Sequence, residues 1–183
     1  VDGRYILSPK DLCTVDFLDK FIDAGVSVLK IEGRARGAEY VKRVVECYDL
    51  ALRAIERGEY SREYAEELKV TLSKVFNRGF WGGYYAGAKV VEHSTNYGSS
   101  ATRRKVYVGK VTNYFKRLGV AEVLIEASPL AVGDEILWMG ETTGCVEQVV
   151  GEIRLDLKPV DAVKQGDVCS IKVEGAEIRR GDK

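Results

Sequence analysis

The chain has 183 residues, enough for one or two domains with cores of their own, and its 45% hydrophobic and 31% charged content is that of a globular protein. Twenty-eight Lys and Arg balance 28 Asp and Glu, so no overall field draws the chain to nucleic acid or anionic lipid, and any RNA contact has to come from a local patch. No apolar run approaches the roughly 20 residues that span a bilayer, and Val1-Asp2-Gly3-Arg4 lacks the pattern of a signal peptide; a cytoplasmic location without a membrane partner is expected.

Residues 5–36 predict a helix, a buried strand and a glycine-arginine turn that opens a second helix. Ser8 suits an N-cap, Pro9 the first helical position, and Asp11 the positive end of the helix dipole. Leu12, Val15, Leu18 and Ile22 recur at helical spacing, and Ala24-Gly25 supplies a stop. The run 26–31 is apolar except for Ser27 and Lys30, as in a strand buried on both faces of a parallel sheet. Alternation puts Val26, Val28, Lys30 and Glu32 on one face. Lys30 and Glu32 then lie at the carboxyl end, where α/β folds do their chemistry, which makes them the candidate catalytic pair. An ion pair between them, closing a barrel mouth and nothing more, is the plain alternative.

Gly33-Arg34-Ala35-Arg36-Gly37 combines free backbone N–H groups with two guanidinium groups, and Arg34 and Arg36 are candidate ligands for an anion or anionic co-substrate. Residues 38–57 predict an amphipathic helix with Val41, Val44, Val45, Tyr48, Leu52 and Ile55 on its buried side and Gly58 at its end. Ser61 caps a third helix running to about Phe76. In the stretch 77–87, Arg78, Phe80, Trp81, Tyr84 and Tyr85 alternate with glycines, which a regular helix or central strand does not tolerate. Arg78, Phe80, Trp81 and Tyr84 either stack bases of RNA or fill a gap between domains. Residues 87–104 are polar and aperiodic and read as a linker. His93, the single histidine, stands in it without partners and is given no catalytic role.

From Lys105 the period changes to two. Val106, Val108 and Val111 lead to a turn at Lys116-Arg117 and a second strand over 119–126. Gly133-Asp134 and Gly166-Asp167, each before a strand, suggest an internal near-repeat. Short strands with regular turns predict a closed or partly closed small β-barrel. The fold class is therefore α+β, in three parts: 1–86, a linker 87–104, and an accessory β-barrel 105–183. The four cysteines, Cys13, Cys47, Cys145 and Cys169, form no C-x-x-C pair and read as buried thiols.

Ser8-Pro9-Lys10-Asp11-Leu12-Cys13, Ala24-Gly25-Val26, Leu29-Lys30-Ile31-Glu32-Gly33-Arg34, Tyr40-Val41, Tyr48 and Asn77-Arg78-Gly79-Phe80 together resemble the peptidase U32 family. Its members go by the name of collagenase-like proteases, and several are better described as RNA or ubiquinone hydroxylation proteins. The resemblance implies that the first part is the last segment of a (β/α) barrel. A whole barrel takes about 250 residues, so the implied partner is an N-terminal barrel of the same protein. The strand 26–31, short of neighbours, also has the option of pairing between two copies as a homodimer. The second part resembles the small barrel of translation factors. Family members that hydroxylate RNA hold an iron–sulfur cluster, and Cys13 near a helix N-terminus is the residue the resemblance offers as a ligand; a core thiol is its plain alternative. No cofactor is expected in the chain alone. The implied activity of the parent is RNA base modification, with this chain as a binding or accessory region. Peptidase activity and a purely structural module are the alternatives.

Overall fold

The computed structural model describes residues 8–85 and 87–183; residues 1–7, where the expected 5–36 segment begins, and Ala86 lie outside them. Residues up to Arg104 form one compact unit and Lys105–Lys183 a second.

The first unit departs from its local signals at the start. Ser8 does not cap a helix. Asp11–Leu12 is a strand, β1, and helical structure begins only with a 3-10 turn at Val15–Phe17 followed by α1, Leu18–Asp23. The backbone N–H groups of Lys10, Asp11 and Cys13 donate to the carbonyls of Glu92, Gly79 and Trp81, each at 2.9 Å. These distant acceptors outweigh a capping preference of about 1 kcal/mol. β1 pairs in parallel with β2, Phe80–Trp81, in the register Asp11↔Phe80 and Leu12↔Trp81. The stop at Ala24-Gly25 is present: Gly25 takes φ +85° and its N–H closes on the Ile22 carbonyl at 2.9 Å.

The apolar run 26–31 is not a buried strand. It has no regular structure, and Val28 is 82% exposed. Apolar content alone does not make a strand; backbone groups need a neighbour to pair with, and no described strand lies beside this run. The reading of a partial (β/α) barrel is therefore not realised among the described residues.

The second helix, α2, spans Ala38–Glu56, and Gly58 at φ +69° ends it. Its buried stripe is Cys47, Ala51 and Ala54, flanked by half-buried Val44, Tyr48, Leu52 and Ile55, whereas Val41 and Val45 face outward. Small side chains on this stripe admit the neighbouring helix closely and turn the valines away from it. That neighbour is α3, Arg62–Leu72, capped as expected by Ser61, whose Oγ accepts the Tyr64 N–H at 3.1 Å. It stops at Ser73, short of Phe76. Cys13, Val15, Leu18, Cys47, Ala51, Leu68 and Leu72 make the core, and the Tyr60 hydroxyl donates to the Val15 carbonyl.

Residues 87–104 are a strap, tied back along the first unit. Pro9 bridges His93, the Ser94 N–H reaches the Ser8 carbonyl at 2.9 Å, the Ser100 N–H the Asn77 carbonyl at 2.7 Å, and the Thr102 N–H the Ser73 carbonyl at 2.9 Å.

The second unit is all β. Strands β3, Gly109–Phe115, and β4, Val120–Ile125, form the expected hairpin. The others are β5 Leu130–Ala131, β6 Glu135–Gly140, β7 Gly144–Val149, β8 Ile153–Leu155, β9 Lys158–Val160, β10 Ala162–Val163 and β11 Val168–Lys172. The ladder β3-β4-β11-β8-β9 stands beside a β6-β7 hairpin and a β5-β10 pair, so the described strands do not close into a barrel. The C-terminal tail joins two of the pieces instead: Gly181 and Asp182 bond Val111 of β3, and Lys183 bonds Met139 of β6.

The near-repeat is realised atom for atom. Gly133 and Gly166 both take φ +93°, and the Oδ2 atoms of Asp134 and Asp167 accept the N–H of Ala131 and Lys164, each at 2.8 Å. Gly133 and Asp134 then clasp Val150 through backbone bonds as Gly166 and Asp167 clasp Ile125, and β5 pairs antiparallel with β10.

Candidate functional site

Of the four residues expected around a mouth, three are loosely held. Lys30 has no partner among the described residues, and it forms no ion pair with Glu32. Glu32 turns instead to Arg34: its Oε1 accepts the Arg34 N–H at 2.8 Å, and the guanidinium lies 3.6 Å from Oε2. Arg34 is 88% exposed, so this contact contributes little. The shared strand face that linked Lys30 to Glu32 is absent.

Arg36 is held tightly, and away from Arg34's surroundings. Its guanidinium lies 3.5 Å from Asp11 Oδ1, with the two side chains only 17% and 23% exposed. The Cζ atom sits 3.9 Å from the centre of the Phe76 ring and 5.7 Å from that of Tyr40, a cation–π contact on two sides. Asp11 Oδ2 accepts the backbone N–H of Arg78 at 3.0 Å. One carboxylate thus joins residues 11, 36 and 78, and the two glycine-arginine turns meet at it. Burial, and then the Asp11 charge, push the Tyr40 phenol above its usual range, opposed by Arg36.

The Arg78 guanidinium makes no ion pair among the described residues. It lines a cleft of about 240 Å³ with Ser8, Phe76, Asn96, Tyr97 and Gly98. In the sequence Phe76 reads as the end of the third helix, and nothing in the local pattern beyond a Tyr-Gly step in an otherwise polar stretch marks Asn96 or Tyr97 as site residues.

The aromatic residues of 77–87 divide. Phe80 packs on the core of the first unit. Trp81 and Tyr84 meet edge to face at 5.3 Å, while Tyr85 packs against Phe17 and Phe21. Gly83, at φ +67°, makes the turn, and a Cβ there would come within 2.8 Å of Leu12 Cδ1. Tyr84 is left mostly exposed.

Cys13 is sealed in the core, 5% exposed, with Val15, Leu18 and Cys47, and burial pushes its thiol up. A ligating or nucleophilic thiol needs the opposite shift. Among the described residues no group of three or more His, Cys, Asp or Glu side chains stands where it could hold a metal ion. This donor set does not fit an iron–sulfur cluster held by the described residues. His93 Nδ1 is buried with no hydrogen-bond partner, so no nucleophile–base pair is built on it.

The model of Peptidase family U32 matches residues 2–95, just over half of the chain. The chain belongs to peptidase family U32. A protein named collagenase from Porphyromonas gingivalis strain W83 is 50% identical to this U32 chain over all 183 residues, which cover 44% of that relative. A protein named tRNA hydroxylation protein P from Haemophilus influenzae is 30% identical over 75% of the chain and 29% of its own length. Among solved structures, the C-terminal domain of a Geobacillus thermoleovorans protein named as a U32 peptidase aligns with 43% of the chain and 96% of its own length, at 21% identity and a TM-score of 0.40. The U32 chain spans about half the length, or less, of the curated relatives it matches. Among the described residues no helix is long and apolar enough to cross a membrane.

Proposed function

We propose that this chain is the substrate-holding, non-catalytic region of a U32 protein that acts on RNA. The observation that carries the reading is the pair of an exposed Tyr84 and a half-buried Trp81 on a glycine turn, with a half-buried, unneutralised Arg78 on the same stretch. Bases stack on such rings whatever their sequence, and a guanidinium takes a backbone phosphate. The name of the tRNA hydroxylation relative points the same way. In this reading the exposed run 26–31 is the edge on which the remainder of a longer U32 protein docks.

The test is binding of a fluorescein-labelled tRNA. Replacing Trp81 and Tyr84 by alanine is expected to weaken binding by about fivefold or more, the cost of a lost stacking surface. Unchanged affinity would remove the reading.

The 50% identity to a protein named collagenase favours a second reading, a peptidase. Gelatin cleavage by the purified chain, lost in Glu32→Gln, would put it first and give Lys30 and Glu32 the catalytic role.

A further inference from the structure

We infer that the cleft lined by Ser8, Phe76, Arg78, Asn96, Tyr97 and Gly98 is a subsite for one nucleotide of a single-stranded RNA, with a phosphate on Arg78 and a base against Tyr97. The inference rests on the RNA reading above and names a second contact, separate from the Trp81–Tyr84 pair.

The charges around Arg78 leave it in surplus. Both oxygens of Asp11 are engaged, Oδ1 with the Arg36 guanidinium and Oδ2 with the Arg78 backbone N–H. Lys10 is neutralised by Glu92 at 2.6 Å. The Arg78 side chain, half-buried and without a carboxylate among the described residues, keeps its full charge. A partly desolvated cation gains most from an anion that brings two oxygens to its fork.

The cleft is also preformed. Buried Asn77 fixes the backbone on both sides of Arg78: Nδ2 donates to the carbonyls of Ser73 and Val75 at 3.3 and 3.0 Å, and Oδ1 accepts the Gly79 N–H at 3.0 Å. Across from it the strap is pinned at Ser94 and Ser100. Between those pins Tyr97 is 89% exposed. A large apolar ring presented on an anchored backbone loses little entropy when a second flat group covers it. Gly98, at φ +80°, makes the tight turn beside it. A volume of about 240 Å³ suits a single base with its phosphate better than a larger ligand. The Asn96 amide and the Ser8 hydroxyl line the same cleft and supply polar groups for a base edge.

The experiment measures binding of a short fluorescein-labelled single-stranded RNA to the full 183-residue chain across a range of KCl, with AMP and inorganic phosphate as competitors. Arg78→Gln is expected to raise Kd by roughly ten- to hundredfold, the loss of one charge-assisted contact, and to flatten the salt slope by about 0.7. Arg78→Lys is expected to restore the slope. Tyr97→Ala is expected to raise Kd by about fivefold or more with the slope unchanged. AMP should compete better than inorganic phosphate. If RNA binds and neither Arg78→Gln nor Tyr97→Ala weakens it, the subsite is overturned while the RNA reading stands. If AMP binds, sensitive to both substitutions, and RNA does not, the subsite stands and the RNA reading falls. If phosphate competes as well as AMP, the base contact with Tyr97 is overturned; if nothing binds, so is the whole inference.

Discussion

Asp11 holds together residues from three distant parts of the first unit, and its removal has a calculable cost. Asp11→Ala deletes the ion pair to Arg36 at 3.5 Å and the acceptor of the Arg78 N–H at 3.0 Å. Both charged side chains are less than a quarter exposed, so solvent screening discounts the pair only modestly. A hydrogen bond to a charged group is worth about 1.5–3 kcal/mol, and an unpaired guanidinium over Phe76 adds to the loss, for a total of about 3 kcal/mol. Asp11→Asn keeps an acceptor for the N–H and loses the charge, for about 1 kcal/mol. At a slope of about 2 kcal/mol per molar, the urea midpoint falls by about 1.5 M for alanine and about 0.5 M for asparagine. Circular dichroism at the helical minimum reads this unit selectively, because α1, α2 and α3 all belong to it. A midpoint that does not move for either variant would refute the role given to Asp11. An asparagine loss as large as the alanine loss would refute the division between charge and acceptor.

Three further outcomes follow from the geometry. Burial raises the thiols of Cys47 and Cys169 from 9.0 to about 11, so the folded chain holds these protons where the unfolded chain releases them; the stability they contribute is whole below about pH 9 and is lost as the pH rises toward 11, which urea midpoints at neutral and alkaline pH will show. Asp134→Ala and Asp167→Ala each remove one capping bond of the same geometry and are expected to cost about 1 kcal/mol apiece in equilibrium unfolding, with a clear inequality telling against the equivalence of the two turns. Gly109→Ala would set a Cβ 2.0 Å from the Leu124 backbone oxygen, and a loss of about 3 kcal/mol or more, read as a lower melting temperature of the β unit, is expected.

What the sequence made legible was local. Ser61 and Gly58 bound their helices through contacts within a few residues, and the Gly-Asp turns carry their own side-chain acceptors, so both could be read from the string of letters. The segment 26–31 misled because its apolar content is a statement about burial, and burial depends on a neighbour that the described residues do not supply. β1 and β2, at two residues each, are too short to show a period, yet their pairing undoes the helix that Ser8 and Pro9 announce. Val41 and Val45 fell on the wrong side because small residues, not the bulkiest ones, set the helix contact. The same holds for the site. Arg36, Arg78 and Asp11 each drew notice separately, but their meeting is a product of topology, and Tyr97 joins them only through the strap.

The way the strap and β2 finish the first unit bears on how the chain is made. α2 and α3 are neighbours in sequence and can associate as soon as both have left the ribosome. β1 has to wait for β2, some 69 positions later, and the strap completes the closure only when residues 92–102 have emerged. Until β2 emerges, the cluster around Leu18 lacks Phe80 and β1 lacks its pairing partner, so a ribosome stalled before residue 80 would hold a helical core with one apolar edge open to chaperones or to a second nascent copy.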